Sequence, residues 1–316
     1  MSGGAAADGA LWAITSYFNP MHYKRRRANY QGFRKRLQVP LAAIELSFDG
    51  RYELGAGDAD LLVQLRGDDI MWQKERLLNV LLPQLPAACR HIAWLDCDIV
   101  FERQDWPERV VKALSRAALV QPFRRVLHMP SRVDADDAVS MLATLTAESI
   151  ASATAAGNSI HEALGRVTDR RSGVPTPGIA WAASRDLVAR HGFYDACVIG
   201  GGDTALTCAA FGVYEHATRL HYMNDLQQKR YLAWAEPFHR NVCGAVSCLD
   251  GDVYHLWHGE IADRGASRRH EGLRLFSFDP DEDIAITDQG CWRWATDKPE
   301  MHRYVRDYFA ARKEDG

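Results

Sequence analysis

Two carboxylates two residues apart, Asp96 and Asp98, follow the apolar run 91–95 (HIAWL). Oxygen donors of this kind suit hard divalent cations such as Mg²⁺ or Mn²⁺. Those cations bind diphosphates and stabilise a departing charged oxygen. A regular strand would put both acids on one face, and a strand terminus lets the chain turn so that both approach one ligand. A triplet this short also describes a loop with two solvated aspartates. His255 and His258, three residues apart, share one face of a helical turn or lie in a tight loop. Imidazole is a common ligand for borderline cations, and such a pair equally serves structure alone. In Gly200-Gly201-Gly202-Asp203 the glycines permit positive φ and close backbone approach to a ligand. The acid behind them is placed as a base or as an acceptor for a sugar hydroxyl. A turn with a helix N-cap at Asp203 or Thr204 is the plainer alternative. Trp72 and Lys74, in the stretch WQKERLLN, could stack a base and meet a phosphate, or be a core Trp beside a solvated Lys. Trp292-Arg293-Trp294 alternates like a strand and reads as core packing before it reads as a sugar platform.

These groups need elements to position them. Leu11–Ser16 reads as a first, buried strand, Tyr23–Leu37 as a basic amphipathic helix, Leu41–Phe48 as a second strand and Leu61–Gln64 as a third. Asp69–Leu82 is predicted helical, and His91–Val100 is predicted as a buried strand that turns polar at its end. Ala135–Ala156 looks helical, and Pro299–Lys313 closes the chain as a further helix. Strands alternating with helices predict an α/β fold on a mostly parallel sheet, with ligands at the carboxyl ends of its strands.

Composition narrows the function classes. The chain has 316 residues, 38 basic against 41 acidic, for a net charge of −3. That argues against a general nucleic-acid binder, which would usually be clearly basic. The hydrophobic content of 47 % is ordinary for a globular chain. Of the basic residues 31 are Arg and 7 Lys; Arg suits bidentate phosphate contacts, although codon usage explains the bias as simply. The basic runs Lys24–Arg27 and Arg34–Arg36 read most simply as a solvated helix face. Seven Cys without a C-x-x-C pair fit reduced thiols in a cytoplasm. No run approaches ~18 apolar residues, so no membrane-spanning helix is expected.

Singly these signals are weak, and their order is informative. The chain resembles the GT-A class of nucleotide-sugar glycosyltransferases from about Leu11 to His258, closest to the galactosyltransferase and polypeptide GalNAc-transferase group. Residues 72–79 are similar to the nucleotide-binding helix of the β-1,4-galactosyltransferases. Asp96-Cys97-Asp98 resembles the metal-binding DxD. Gly178-Ile179-Ala180-Trp181-Ala182-Ala183-Ser184, then Gly192-Phe193, resembles the strand and helix before the acceptor loop. Asp203 stands where the family places the acid of its Gly-Gly-Glu motif, and His255-x-x-His258 is similar to the distal ligand segment.

The resemblance implies a GT-A-type, Rossmann-like sheet flanked by helices. It implies a metal-dependent transferase that moves a hexose or N-acetylhexosamine from a UDP-sugar to an acceptor hydroxyl on a glycan, lipid, peptide or small molecule. Asp98 and His258 would bind Mn²⁺ (or Mg²⁺), with His255 as a second imidazole ligand and Asp96 bridging to ribose or metal. Thr15, Ser16 and Phe18, with Trp72 and Lys74, would line the nucleotide pocket. Arg264, Arg268 and Arg269 would close over the diphosphate, and Asp203 would be the catalytic acid or base. Residues 1–10 are expected as a disordered tail and 11–316 as one catalytic domain. Within it, 11–124 would be the nucleotide-sugar half, 125–173 a helical insertion or lid, and 174–316 the acceptor and distal-ligand half. The family's membrane anchor has no counterpart in the sequence, which gives a cytoplasmic enzyme as the expectation. The galactosyltransferases carry an Asp one residue after the Gly-Gly-Glu acid, and here that position is Thr204, so the stereochemical outcome stays open. Two other readings compete: a haloacid-dehalogenase-like phosphatase using Asp96 and Asp98, and a catalytically degenerate nucleotide-sugar-binding protein.

Overall fold

A computed structural model describes residues 10–166 and 174–316. Most of the expected 1–10 tail, and 167–173 of the expected insertion, lie outside the described residues. In chain order the elements are β1 (Leu11–Phe18), α1 (Lys24–Arg36), β2 (Leu41–Ser47), β3 (Leu61–Arg66), α2 (Lys74–Leu81), β4 (His91–Leu95), β5 (Ile99–Phe101), α3 (Trp106–Leu114), β6 (Leu119–Gln121), β7 (Arg125–His128), β8 (Leu145–Ser149), α4 (Ile150–Ala155) and α5 (Ile160–Gly165). There follow β9 (Pro175–Thr176), β10 (Ala180–Ser184), α6 (Arg185–His191), α7 (Gly202–Phe211), α8 (Tyr214–Leu220), α9 (Asp225–Val242), β11 (Val246–Cys248), β12 (Asp252–His255), α10 (Ala266–Arg274), β13 (Ile284–Ile286), β14 (Trp292–Trp294) and α11 (Pro299–Ala311).

Seven strands form the main sheet in the order β11-β6-β10-β4-β1-β2-β3. Only β10 runs against its neighbours, β4 and β6, and the other pairings are parallel. Both faces are covered, so β1 and β2 are apolar almost throughout, as parallel strands with helices on both sides must be. Alternation sorts their side chains. Ile14 and Phe18 join Leu77, Leu78 and Trp94 in one core, while Ala13 and Tyr17 join Tyr30, Phe33 and Trp106 in the other. Trp292 and Trp294 are buried on β14 while Arg293 faces out, so this triplet is core packing.

A second sheet, β5-β12-β7-β8-β9, brings the chemistry together. The chain turns at 96–98 between β4 and β5, so the expected strand His91–Val100 is two strands around an acidic turn. β12 runs antiparallel to β5 with His255 opposite Ile99, and Leu256 N–H donates to Asp98 O at 2.8 Å. That register places the histidine segment, about 157 residues further along the chain, beside the aspartate turn.

Two expected helices are corrected. The helix expected over Asp69–Leu82 begins only at Lys74, because the residues before it are tied to other elements. Trp72 N–H donates to Val198 O at 2.8 Å, Asp69 accepts from Trp294 N–H at 2.8 Å, and the Gln73 amide bonds both backbone groups of Trp292. The helix expected over Ala135–Ala156 gives way to a short 3₁₀ turn, the strand β8 and only then α4. Ladder bonds of β8 to β7 override the helix preference of its Ala- and Leu-rich surroundings. Of the stretch 125–173, expected as a helical insertion, two strands, β7 and β8, lie in the second sheet, and α4 and α5 follow them. Among the described residues no helix is long and apolar enough to cross a membrane.

Candidate active site

The carboxyl ends of β1 and β4 and the turn 96–98 open into a cavity of about 380 Å³. Thr15 Oγ1 donates to Leu95 O at 2.8 Å and ties the two strand ends together. Thr15, Ser16, Phe18, Trp72, Lys74, Asp96, Asp98, Asp203, His255, His258, Arg264 and Arg269 all line this cavity. Arg268 does not: it is exposed on α10, and its neighbour Arg269 points inward instead.

Asp98, His255 and His258 form a compact donor set. Asp98 Oδ2 lies 3.1 Å from His258 Nε2, Asp98 Oδ1 lies 3.5 Å from His255 Nε2, and the two Nε2 atoms are 3.2 Å apart. Adjacent donors at right angles around a cation with bonds of ~2.1 Å stand roughly 3 Å apart, so these spacings suit ligands that share one cation. Asp98 Oδ1 is buried without a hydrogen-bond partner, as a ligand atom awaiting a cation would be. One donor, the Arg264 guanidinium, is presented to His258 Nε2 at 3.0 Å. It puts positive charge where a metal ion would put it.

Burial and the neighbouring Asp96 push the Asp98 carboxyl up to about 7. Burial holds the imidazoles neutral, His258 at about 3 with help from Arg264, and His255 well below its ordinary value. Neutral imidazole is the ligating form. Protons therefore compete with a cation at Asp98 alone. Mn²⁺ affinity should be level above pH 7 and fall about tenfold per pH unit below it, one proton being displaced per ion. Titration of Mn²⁺ by its electron paramagnetic resonance signal between pH 5.5 and 8 checks this, and a level profile would remove Asp98 as the titrating ligand.

Asp96 does not join the trio. Its Oδ1 accepts from Lys74 Nζ at 2.6 Å, and the same ammonium reaches Asp203 Oδ2 at 3.1 Å. Burial works against the Lys74 ammonium, and Asp203 with Asp96 more than offsets that, so its pKa is raised. Asp203 is raised by burial and pulled back by Lys74. It sits in the first turn of α7, whose N-cap is Gly201 in the left-handed region at φ 109°, not Asp203 or Thr204. Gly178 lets the carboxylate approach: a Cβ there would stand 3.0 Å from Asp203 Oδ2. Trp72 is less open than a base-stacking role asks. Phe309 stacks on it at 6.2 Å, and the Arg312 guanidinium lies 5.4 Å from its ring centre.

Sequence spacing missed four contributors. Arg26, read as part of a solvated helix face, is largely covered, pairs with the buried Glu314 and lines the cavity. Its helix mates do behave as expected, pairing at the surface with Asp58, Asp60, Asp134 and Asp136. Arg312 lines the cavity too. His128 Nδ1 lies 3.1 Å from His255 Nδ1 and gives that ring its second partner. Glu314 lies behind His258.

A second cluster of His161, Glu215 and His216 also lies within ligand reach of itself, and its hydrogen bonds argue against a metal. Arg219 Nη2 is 2.7 Å from His216 Nδ1. A guanidinium only donates, so His216 Nε2 carries the proton and donates to His161 Nδ1 at 2.8 Å.

No family model matches the chain, and no curated protein matches it in sequence. Solved structures similar to it include glucosyl-3-phosphoglycerate synthase from Mycobacterium tuberculosis with Mn²⁺, UDP and glucosyl-3-phosphoglycerate, at 14 % identity over 88 % of this chain and 84 % of that one, TM-score 0.41. They also include S. aureus TarS 1–349 with UDP-GlcNAc, at 11 % identity over 96 % of this chain and 81 % of that one, TM-score 0.41. A third is the mannosyltransferase PcManGT from Pyrobaculum calidifontis with GDP-Man and Mn²⁺, at 13 % identity over 96 % and 86 %, TM-score 0.35. Likeness at this level leaves function to be read from the site.

Proposed function

We propose that this chain is a divalent-metal-dependent glycosyltransferase that moves a hexose or N-acetylhexosamine from a UDP-sugar to an acceptor hydroxyl. One observation carries the reading: a single cavity at the carboxyl ends of a parallel sheet holds the Asp98–His255–His258 donor set, four arginines and the Lys74–Asp203 pair. A donor set of one carboxylate and two neutral imidazoles fits Mn²⁺, and Mg²⁺ less well. The ion, when bound, neutralises the diphosphate and the leaving nucleotide.

The chain's own residues do the rest. Arg264 and Arg269 face the diphosphate with donors preorganised by the protein, Arg269 being fixed by Tyr308 Oη at 2.6 Å and Arg264 O at 3.2 Å. Thr15, Ser16, Phe18 and Trp72 line the nucleotide. Asp203 accepts the proton of the acceptor hydroxyl, and Lys74 keeps it ionised and fixes it against Asp96. Nothing in the arrangement favours the phosphatase reading, since Asp98, its acid and base, is turned onto His255 and His258. All seven cysteines are unpaired, which fits our proposal of a cytoplasmic enzyme.

Calorimetric titration of UDP with and without Mn²⁺ tests the reading. UDP should bind only with the metal, and a panel of UDP-sugars should then release UDP. Absence of UDP binding under any divalent metal would overturn the reading. Tight binding without turnover on any acceptor or on water would leave a nucleotide-sugar-binding protein.

A further inference from the structure

Residues 312–316 close the back of the metal trio. Glu314 is 1 % exposed. Its carboxylate accepts from Arg26 Nε and Nη2, both at 2.8 Å, and from Arg312 Nε at 2.6 Å. Glu314 Oε1 also lies 3.5 Å from His258 Nδ1. The next residue, Asp315, accepts from the backbone N–H groups of Lys24 at 3.1 Å and Arg25 at 2.8 Å, capping the start of α1. Gly259, at φ +85°, has the Arg312 carbonyl where a Cβ would stand. The segment therefore lies directly on the backbone that follows His258.

The shortest contact of His258 favours one tautomer. Arg264 Nη2 addresses Nε2 at 3.0 Å, and a guanidinium has no lone pair to offer. That contact favours Nε2 as the acceptor and the proton on Nδ1, over the alternative in which Nε2 donates to Asp98 Oδ2 at 3.1 Å. Arg312 Nη2, 3.5 Å from Nδ1, can only donate and cannot receive that proton. Glu314 can. A ligating imidazole needs this arrangement: one nitrogen free for the cation, the other donating to a carboxylate that fixes the ring.

We propose that Glu314 is a positioning residue of the metal site, accepting from His258 Nδ1 so that Nε2 faces the cation, and holding the Arg26 and Arg312 charges to one side. The inference rests on the reading of Asp98, His255 and His258 as metal ligands. Glu314 itself touches neither cation nor substrate. The Arg26 and Arg312 guanidinium groups on its oxygens match a carboxylate held as the anion.

The test is Mn²⁺ titration by electron paramagnetic resonance on the whole chain, with the ¹⁵N imidazole spectrum of His258 recorded without metal. The parent should bind Mn²⁺ and show Nδ1 protonated. Glu314→Gln should bind it about 10- to 100-fold more weakly and show a mixture of tautomers, with Glu314→Asp between the two. Asp315→Asn loosens the same segment without touching Glu314 and should stay within about threefold of the parent. Mn²⁺ affinity unchanged in a folded Glu314→Gln would overturn the inference while leaving the metal site standing. If that variant does not fold, a parent spectrum with Nε2 protonated overturns it, and Glu314→Asp carries the titration. A parent chain that binds no Mn²⁺ overturns the metal reading, and this inference with it.

Discussion

Asp98→Asn should fold as well as the parent and bind Mn²⁺ at least ~100-fold more weakly, taking metal-dependent UDP binding and turnover with it. The substitution keeps the shape of the side chain and removes its charge. In the metal-free protein that charge is already half lost at neutral pH, because burial and Asp96 raise the carboxyl to about 7. An amide in its place disturbs little: with its nitrogen at the Oδ2 position, its N–H₂ group stands 3.1 Å from the His258 Nε2 lone pair. The cation fares differently. Asp98 supplies the one formal negative charge among three ligands, the other two being imidazoles held neutral. A factor of 100 is about 2.7 kcal/mol, modest for an anionic ligand to a divalent ion in a buried site. Thermal unfolding checks the fold, and calorimetry of UDP with Mn²⁺ checks the function. Metal-dependent UDP binding equal to that of the parent would remove Asp98 from the metal.

What the sequence shows and what it hides differ by the range of the interaction. Short apolar runs bounded by polar turns mark β1, β2 and β4 because parallel strands buried on both faces must be apolar along their length. The Asp-x-Asp, His-x-x-His and Gly-Gly-Gly-Asp groups are legible because each is local. Their convergence is legible only through the likeness of their order to that of a known family, and nothing local to 91–98 says that β12 will pair with β5. Arg26 shows the limit most clearly. By spacing it belongs to a solvated basic face, and its partner Glu314 is 288 residues away. Leu145–Ser149 fails for the same reason, since its partners on β7 decide its conformation against local preference. Arg268 and Arg269 show the finest grain: a helix turns about 100° per residue, so adjacent arginines on α10 point in different directions, and only the placement of that helix says which one reaches the cavity.

Glu75→Gln should stabilise the protein by roughly 3 kcal/mol at pH 7 and by nothing measurable at pH 4. Glu75 lies in the first turn of α2, buried, with Oε1 lacking a hydrogen-bond partner. Its carboxyl packs against Gly202 where any side chain would overlap it. Burial is the main cause that raises its pKa from 4.5 to about 8; Lys74 opposes the rise and Asp203 adds to it. Between those two values the native chain keeps a proton that the unfolded chain has released. Stability therefore falls as pH rises through this window, by about 1.4 kcal/mol per unit. The loss is absent below 4.5, amounts to about two and a half units' worth at pH 7, and is complete above 8. Glutamine ionises in neither state and escapes it. Urea unfolding midpoints of parent and variant at pH 4, 7 and 8.5 should diverge in that order, and parallel midpoints would mean that the carboxyl is charged in the native chain. An acid this costly, which an amide of the same shape would replace at a gain, is not there for stability. It lies beside Lys74 and beneath the helical turn that presents Asp203, and those are the two residues whose charges the proposed chemistry depends on.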